Sequence, residues 1–229
     1  MPDHSPKTPA KDDDPGLMSV VKSRAVRPIL AFTLAYLAVA TVAAVRGRSG
    51  EFLLYIGAMA VLLMVVAVVH ARVKLTTATL WGLSIWGLAH VAGGLAPVPA
   101  SWPIKGESHV LYNLWLAPGL LKYDQLVHAY GFGLVTWVCW QGLNGAFARS
   151  GANARPTVGL LTLCVAAGMG FGAANEVVEF IATLTMPETN VGGYENTGWD
   201  LVSNTVGCLT AAALIHAGET RDRPPNPRG

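Results

Sequence analysis

The sequence predicts an all-α membrane protein, a bundle of about six transmembrane helices with a short interfacial or re-entrant segment between helices three and four. Three observations predict it. Charged residues make up 13% of the 229 positions and hydrophobic residues 52%, whereas soluble domains carry about 25% charge. Six apolar segments, separated by short basic or Pro/Gly-rich connectors, each approach the roughly 20 residues that a spanning helix needs. None of them alternates polar with apolar residues, and a segment in lipid must satisfy its backbone internally, which selects helices over strands.

The segments fall at residues 28–45, 52–70, 77–96, 124–147, 157–183 and 199–217. Residues 1–27 are polar, with Pro2, Pro6, Pro9, Pro15 and the run Asp12-Asp13-Asp14. They read as a disordered cytoplasmic tail rather than a cleavable signal peptide. Residues 218–229, ending RDRPPNPRG, read the same way and leave 28–217 as the polytopic domain. In the fifth segment Gly168, Gly170, Gly172, Ala173 and Ala174 suit the close backbone approach of membrane helices. Cys139, Cys164 and Cys208 lie in three different segments, with no CxxC pair and no zinc-finger spacing. They read as small buried side chains.

The connector 97–123 is broken by Pro97, Pro99, Pro103 and Pro118 and does not span. Its run HVLYNLWLAPGLL carries Tyr112 and Trp115, rings that favour the headgroup region. A lid and a simple spacer are both open readings. Orientation follows from Lys and Arg, which cytoplasmic loops retain. With the N-terminus inside, twelve of the sixteen basic residues are cytoplasmic, and the outer connectors hold only Arg46, Arg48, Lys105 and Lys122. Both termini are therefore expected in the cytoplasm, in a multi-pass cell-membrane protein. A net charge of +2, with no basic patch, excludes nucleic acid as a partner and leaves the lipid bilayer.

Ionisable residues inside spanning helices cost about 2.5–3.5 kcal/mol each on insertion scales, so each one is a functional candidate. The third segment supplies His90 in GLAHVAGG; the fourth, Asp124 and His128; the fifth, Asn175, Glu176 and Glu179 in NEVVEF; the sixth, Asp200 and Asn204 in WDLVSNTVG. Segments three and five run outward and carry these groups late, while four and six run inward and carry them early. All are thus expected at one level near the outer leaflet. Asp124/His128, Glu176/Glu179 and Asp200/Asn204 are three or four residues apart, so each pair shares a helix face.

Carboxylates with one or two imidazoles can hold a divalent cation that polarises an ester or phosphoryl oxygen or activates water. His90, Asp124, His128, Glu176, Glu179 and Asp200 are the candidate ligands, and the last five are also candidate catalytic groups, with Tyr123, Asn175 and Asn204 in support. Close carboxylates can equally share protons for acid–base work or proton transfer. The set is compatible with both chemistries and diagnostic of neither. Structural readings stand beside them. Asp124 and Asp200 suit helix N-termini as caps, His128 suits a hydrogen bond to Asp124, and His90 and Asn204 suit interhelical packing. No HExxH, GxSxG, Walker or dinucleotide motif occurs.

Three short motifs in order, namely Tyr123, Asp124 and His128, then Glu176, Glu179 and Phe180, then Trp199, Asp200, Asn204 and Gly207, resemble the pattern of VanZ-like and YjdF-like bacterial integral membrane proteins. The resemblance covers residues 80–217. YjdF-like chains tend to have Asp where Asn204 stands and a longer acidic loop where this one has GGYENTGWD, and VanZ-like chains tend toward Gln at Glu179. It implies a polytopic plasma-membrane protein and supplies no reaction.

Three functions fit these residues: a membrane-embedded enzyme, metal-assisted or not, acting on a lipid or lipid-linked envelope molecule; a proton- or ion-coupled transporter; and a non-catalytic component whose polar groups specify helix packing. Segments one to three carry no counterparts of the later motifs, which weighs against the repeated halves common in transporters.

Overall fold

The structure is a computed structural model that describes residues 23–47, 50–186, 189 and 192–221, without the side chains of 50–54 and 219–221. The tails expected at 1–27 and 218–229 lie largely outside the described residues. Where the two ranges meet the structure they are partly helical, because the first helix begins at Val26 and the last continues to Arg221.

Six long helices carry the chain: α1 (Val26–Arg46), α2 (Gly50–Val73), α3 (Thr77–Leu95), α4 (Tyr123–Arg149), α5 (Val158–Thr185) and α6 (Tyr194–Arg221). Each covers one of the six apolar segments. Local chemistry sets several ends. Thr76 and Thr157 cap α3 and α5, their hydroxyl oxygens accepting from the N–H groups of Thr79 and Leu160, which satisfies donors that a helix start leaves free. The turn from α2 to α3 is closed by Lys74 in the left-handed region, φ 61°.

By length and composition, α1, Tyr55–Val73 of α2, α5 and Tyr194–Gly218 of α6 are apolar enough to cross a membrane. The segments expected to give helices three and four fold as helices of 19 and 27 residues and are not among these four. α4 packs most extensively on α6 and also on α5 and α3, while α3 packs on α1 and α4, so both face protein more than surroundings. The outer helices instead expose Val39, Val61, Met64, Leu163, Phe171 and Leu184, a surface suited to lipid rather than water.

Close approach of α4 and α6 depends on glycine. A Cβ at Gly207 would collide with the Ala129 backbone carbonyl, and Gly133 lies against the Gly207 carbonyl in return. Beyond this crossing, Trp140, Leu161, Cys164, Ala212 and Ile215 form an apolar core at one end of the α4–α5–α6 group. Thr33 on α1 meets Ser84 on α3 at 2.6 Å, and Gln141 on α4 accepts from the Thr76 N–H and donates to the Thr79 hydroxyl. The first bond ties α1 to α3, and the Gln141 bonds join the first three helices to the last three.

The connector between α3 and α4 holds no re-entrant helix. It folds as a cap: a 3-10 turn at Leu111–Asn113, then a small antiparallel pair, β1 (Trp115–Ala117) with β2 (Leu121–Lys122). The turn packs on α3 and α4, at the end of the bundle opposite the Trp140 core.

Candidate metal centre

Helix geometry builds the site at the capped end. Asp124 and His128 stand one turn apart on α4, and His128 Nε2 lies 3.6 Å from Asp124 Oδ1. From α6, Asn204 Oδ1 lies 3.1 Å from His128 Nδ1. From α5, Glu176 Oε1 lies 3.7 Å from the same Nδ1. Two sets of potential ligand atoms result, Asp124–His128–Asp200 and His128–Glu176–Glu179, each within 4.8 Å of one another. His128 belongs to both. Three helices therefore meet on one imidazole that is 2% exposed.

The distances discriminate between bonding types. Separations of 3.6 and 3.7 Å exceed hydrogen-bond range. They approach the edge of a tetrahedral shell, about 3.3 Å for ligands 2.0–2.1 Å from a zinc-like ion. Buried acceptors also stand open. Asp200 Oδ1 and both Glu176 carboxylate oxygens have no hydrogen-bond partner among the described residues, although Asp200 is fully buried and Glu176 is 8% exposed. Burying a carboxylate unpaired is costly enough that such groups acquire a proton, a donor or a cation.

Two residues enter the site that the sequence reading had not placed there. Lys122, counted above as an outer-connector cation, is only 4% exposed. Its ammonium donates to Asn196 Oδ1 and lies 3.6 Å from Asp124 Oδ2. Asn196 donates in turn to Asp200 Oδ2 at 2.6 Å and to Asp124 Oδ2 at 3.4 Å. The signal for Asn196 was its place four residues before Asp200, on the same helix face once α6 is extended by a turn. For Lys122 it was only adjacency to the α4 start.

The remaining candidates take distinct places. Asn175 donates to Glu179 Oε1 at 2.8 Å, holding that carboxylate on α5. The Tyr123 hydroxyl donates to the Ala89 carbonyl at 2.9 Å and fastens α4 to α3, outside the ligand sets. His90 also lies outside both sets. Its ring meets Tyr112 at 5.6 Å and Trp86 at 6.0 Å, and its Nδ1 is buried without a partner among the described residues. Burial, reinforced by the negative charges of Asp124 and Glu179, holds the Tyr112 phenol protonated well above its ordinary range.

The capping readings do not describe these carboxylates. α6 begins at Tyr194, so Asp200 stands in its second turn and is no cap. At the start of α4 it is Gln125 Oε1 that accepts from the Lys122 N–H, at 2.9 Å. Asp124 only adds negative charge to the first turn, which the helix dipole favours.

A cavity of about 690 Å³ opens beside these groups, lined by His90, Lys122, Asp124, Asn175, Glu179 and Asn196 among others. Its size is that of a small-molecule site. Residues 28–221 match the family model described as predicted membrane protein, DUF2238. The chain belongs to that family. No curated protein and no solved structure matches it.

Proposed function

We propose that this DUF2238 member is a membrane-embedded, metal-assisted enzyme that acts on an ester or phosphoryl linkage of a lipid or lipid-linked envelope molecule. The observation that carries the reading is the set of buried, unpartnered oxygens on Asp200 and Glu176 around His128. With Asp124, Glu176, Glu179 and Asp200 ionised, Lys122 offsets one of four negative charges. A divalent cation offsets two more.

Donor chemistry favours the Asp124–His128–Asp200 set for that ion. If Nδ1 carries the proton and donates to Asn204, Nε2 presents its lone pair toward Asp124, the usual arrangement in which a ligating histidine gives its other N–H to a neighbouring acceptor. The ion would polarise the substrate oxygen or acidify a water. Glu176 and Glu179 are then placed to take the proton of that water, Asn175 orients Glu179, and Lys122 holds Asn196 against Asp200. In hydrolysis, water adds to the acyl or phosphoryl centre, the ester oxygen bond breaks, and the leaving oxygen takes a proton.

The VanZ-like and YjdF-like resemblance of the three motifs supports a cell-envelope setting. The distribution of Lys and Arg supports a plasma-membrane protein with both termini in the cytoplasm and the site toward the outer leaflet. A second reading, in which the polar groups only specify packing, draws on the bonds from Lys122 and Asn196 that link α4 to α6. The two separate on turnover. Purified protein is incubated with a membrane lipid extract in nanodiscs, and mass spectrometry follows lipid conversion. Conversion that is lost in Glu176→Gln and Asp124→Asn and on chelation, with folding intact, supports the enzyme. Undiminished conversion in both variants sinks it.

A further inference from the structure

A second cavity, about 420 Å³ and almost wholly apolar, lies beside the first and is walled by α1, α2, α3, α4 and α5. The two share one rim: Met59, Leu62, Trp86, Gly87, Asn175 and Val178 line both. α2 packs on α1 and α4 and has no comparable contact with α5, so a crevice remains along which Leu62, Val65, Phe171 and Val178 stay exposed. A polar chamber continuous with an apolar crevice that faces the lipid side of the bundle is complementary to an amphiphile.

We propose that the two chambers hold a single lipid, with a phosphoryl head in the polar chamber and a hydrocarbon chain in the crevice between α2 and α5. Resting on the metal-centre reading, this names the substrate class of that site. Phosphoryl oxygens are hard ligands for a divalent ion, and Lys122, together with Lys105 in its ion pair with Glu195, stands on the same chamber wall. His90 gains a role here that neither ligand set gives it. Its unpartnered Nδ1 is available to the head, on the chamber wall that also holds Asp124 and Glu179. The chain takes its affinity from apolar contact along Leu62, Phe171 and Val178.

The test uses the full-length protein with two probes, a diacyl phosphatidic acid and a polyprenyl phosphate, the two membrane sources of this chemistry. Native mass spectrometry counts bound lipid and gives its affinity. Their dephosphorylated analogues, diacylglycerol and polyprenol, serve as headless controls. Leu62→Trp and Val178→Trp fill the crevice from exposed positions on separate helices, and gel filtration and helical circular dichroism check their folding. Expected is one lipid per chain, bound about tenfold more weakly by either variant, with the headless analogues weaker by a similar factor. Whichever probe binds identifies the source.

Wild-type affinity in both variants overturns the proposal, as does equal binding of the headless analogues or binding of neither probe. Metal content measured on the same samples separates the two readings. Metal retained without lipid binding sinks the lipid alone, and lipid binding without metal sinks the metal centre alone.

Discussion

His128 Nδ1 lies 3.1 Å from Asn204 Oδ1, and this bond between α4 and α6 leaves the opposite ring nitrogen facing Asp124 at 3.6 Å. With Nδ1 donating to that amide oxygen, Nε2 is the nitrogen left to bind an ion. Asn204→Leu removes the acceptor and is expected to weaken divalent-metal affinity by about 10- to 100-fold. Asn204→Asp keeps an acceptor and should retain most of it. Competition against a chromogenic chelator reads both, and equal affinity in all three proteins contradicts the assignment.

Lys122 is the one cation within 4 Å of a site carboxylate among the described residues. Lys122→Met leaves Asn196 Oδ1 without its donor and Asp124 without its neighbouring cation, and should lower the stability of chelator-treated protein by about 1–3 kcal/mol. Lys122→Arg should recover part of that loss. Thermal unfolding in detergent measures the effect, and a Lys122→Met protein as stable as wild type would show that the buried ammonium has no structural part.

Gly207 tests the helix crossing beneath the site. Its replacement by Val drives a side chain into the Ala129 carbonyl and should cost about 1–3 kcal/mol through overpacking. Gly170→Ala, where nothing lies within 4 Å of an added Cβ, serves as the control and should behave as wild type. Equal melting temperatures for both variants would argue against so close an α4–α6 contact.

Topology is tested with reporters fused to the C-terminus. A fluorescent protein should shine and a periplasmic phosphatase should stay inactive, because an even number of crossings returns the chain to the side on which it began. The reverse pattern would move the site to the inner leaflet.

Much of the fold was legible because membrane helices announce themselves through length and apolarity, and all six apolar segments correspond to helices. The polar pairs were legible for a related reason. Asp124 with His128 and Glu176 with Glu179 stand out against an apolar background, and helical spacing gives each pair a common face. Lys122 and Asn196 were not legible, since both sit in polar connectors where a charged or amide side chain is unremarked. Only the folding of the cap over α3 and α4 and the early start of α6 bring them inward. His90 is the opposite case. A lone histidine in an apolar helix reads as a ligand, but His90 packs against the rings of Trp86 and Tyr112 and belongs to neither ligand set.

The central claim is that the open oxygens of Asp200 and Glu176 mark a cation site, and metal content is its most direct test. Protein purified without chelator is analysed by inductively coupled plasma mass spectrometry, wild type beside Asp200→Asn and Glu176→Ala. The account predicts at least one divalent ion per wild-type chain, lost or strongly reduced in Asp200→Asn, a ligand position, and lowered to a lesser degree in Glu176→Ala, whose charge lies beside the ion, while each stays folded. Folded wild-type protein that holds no more metal than either variant, even after incubation with divalent ions, would contradict it.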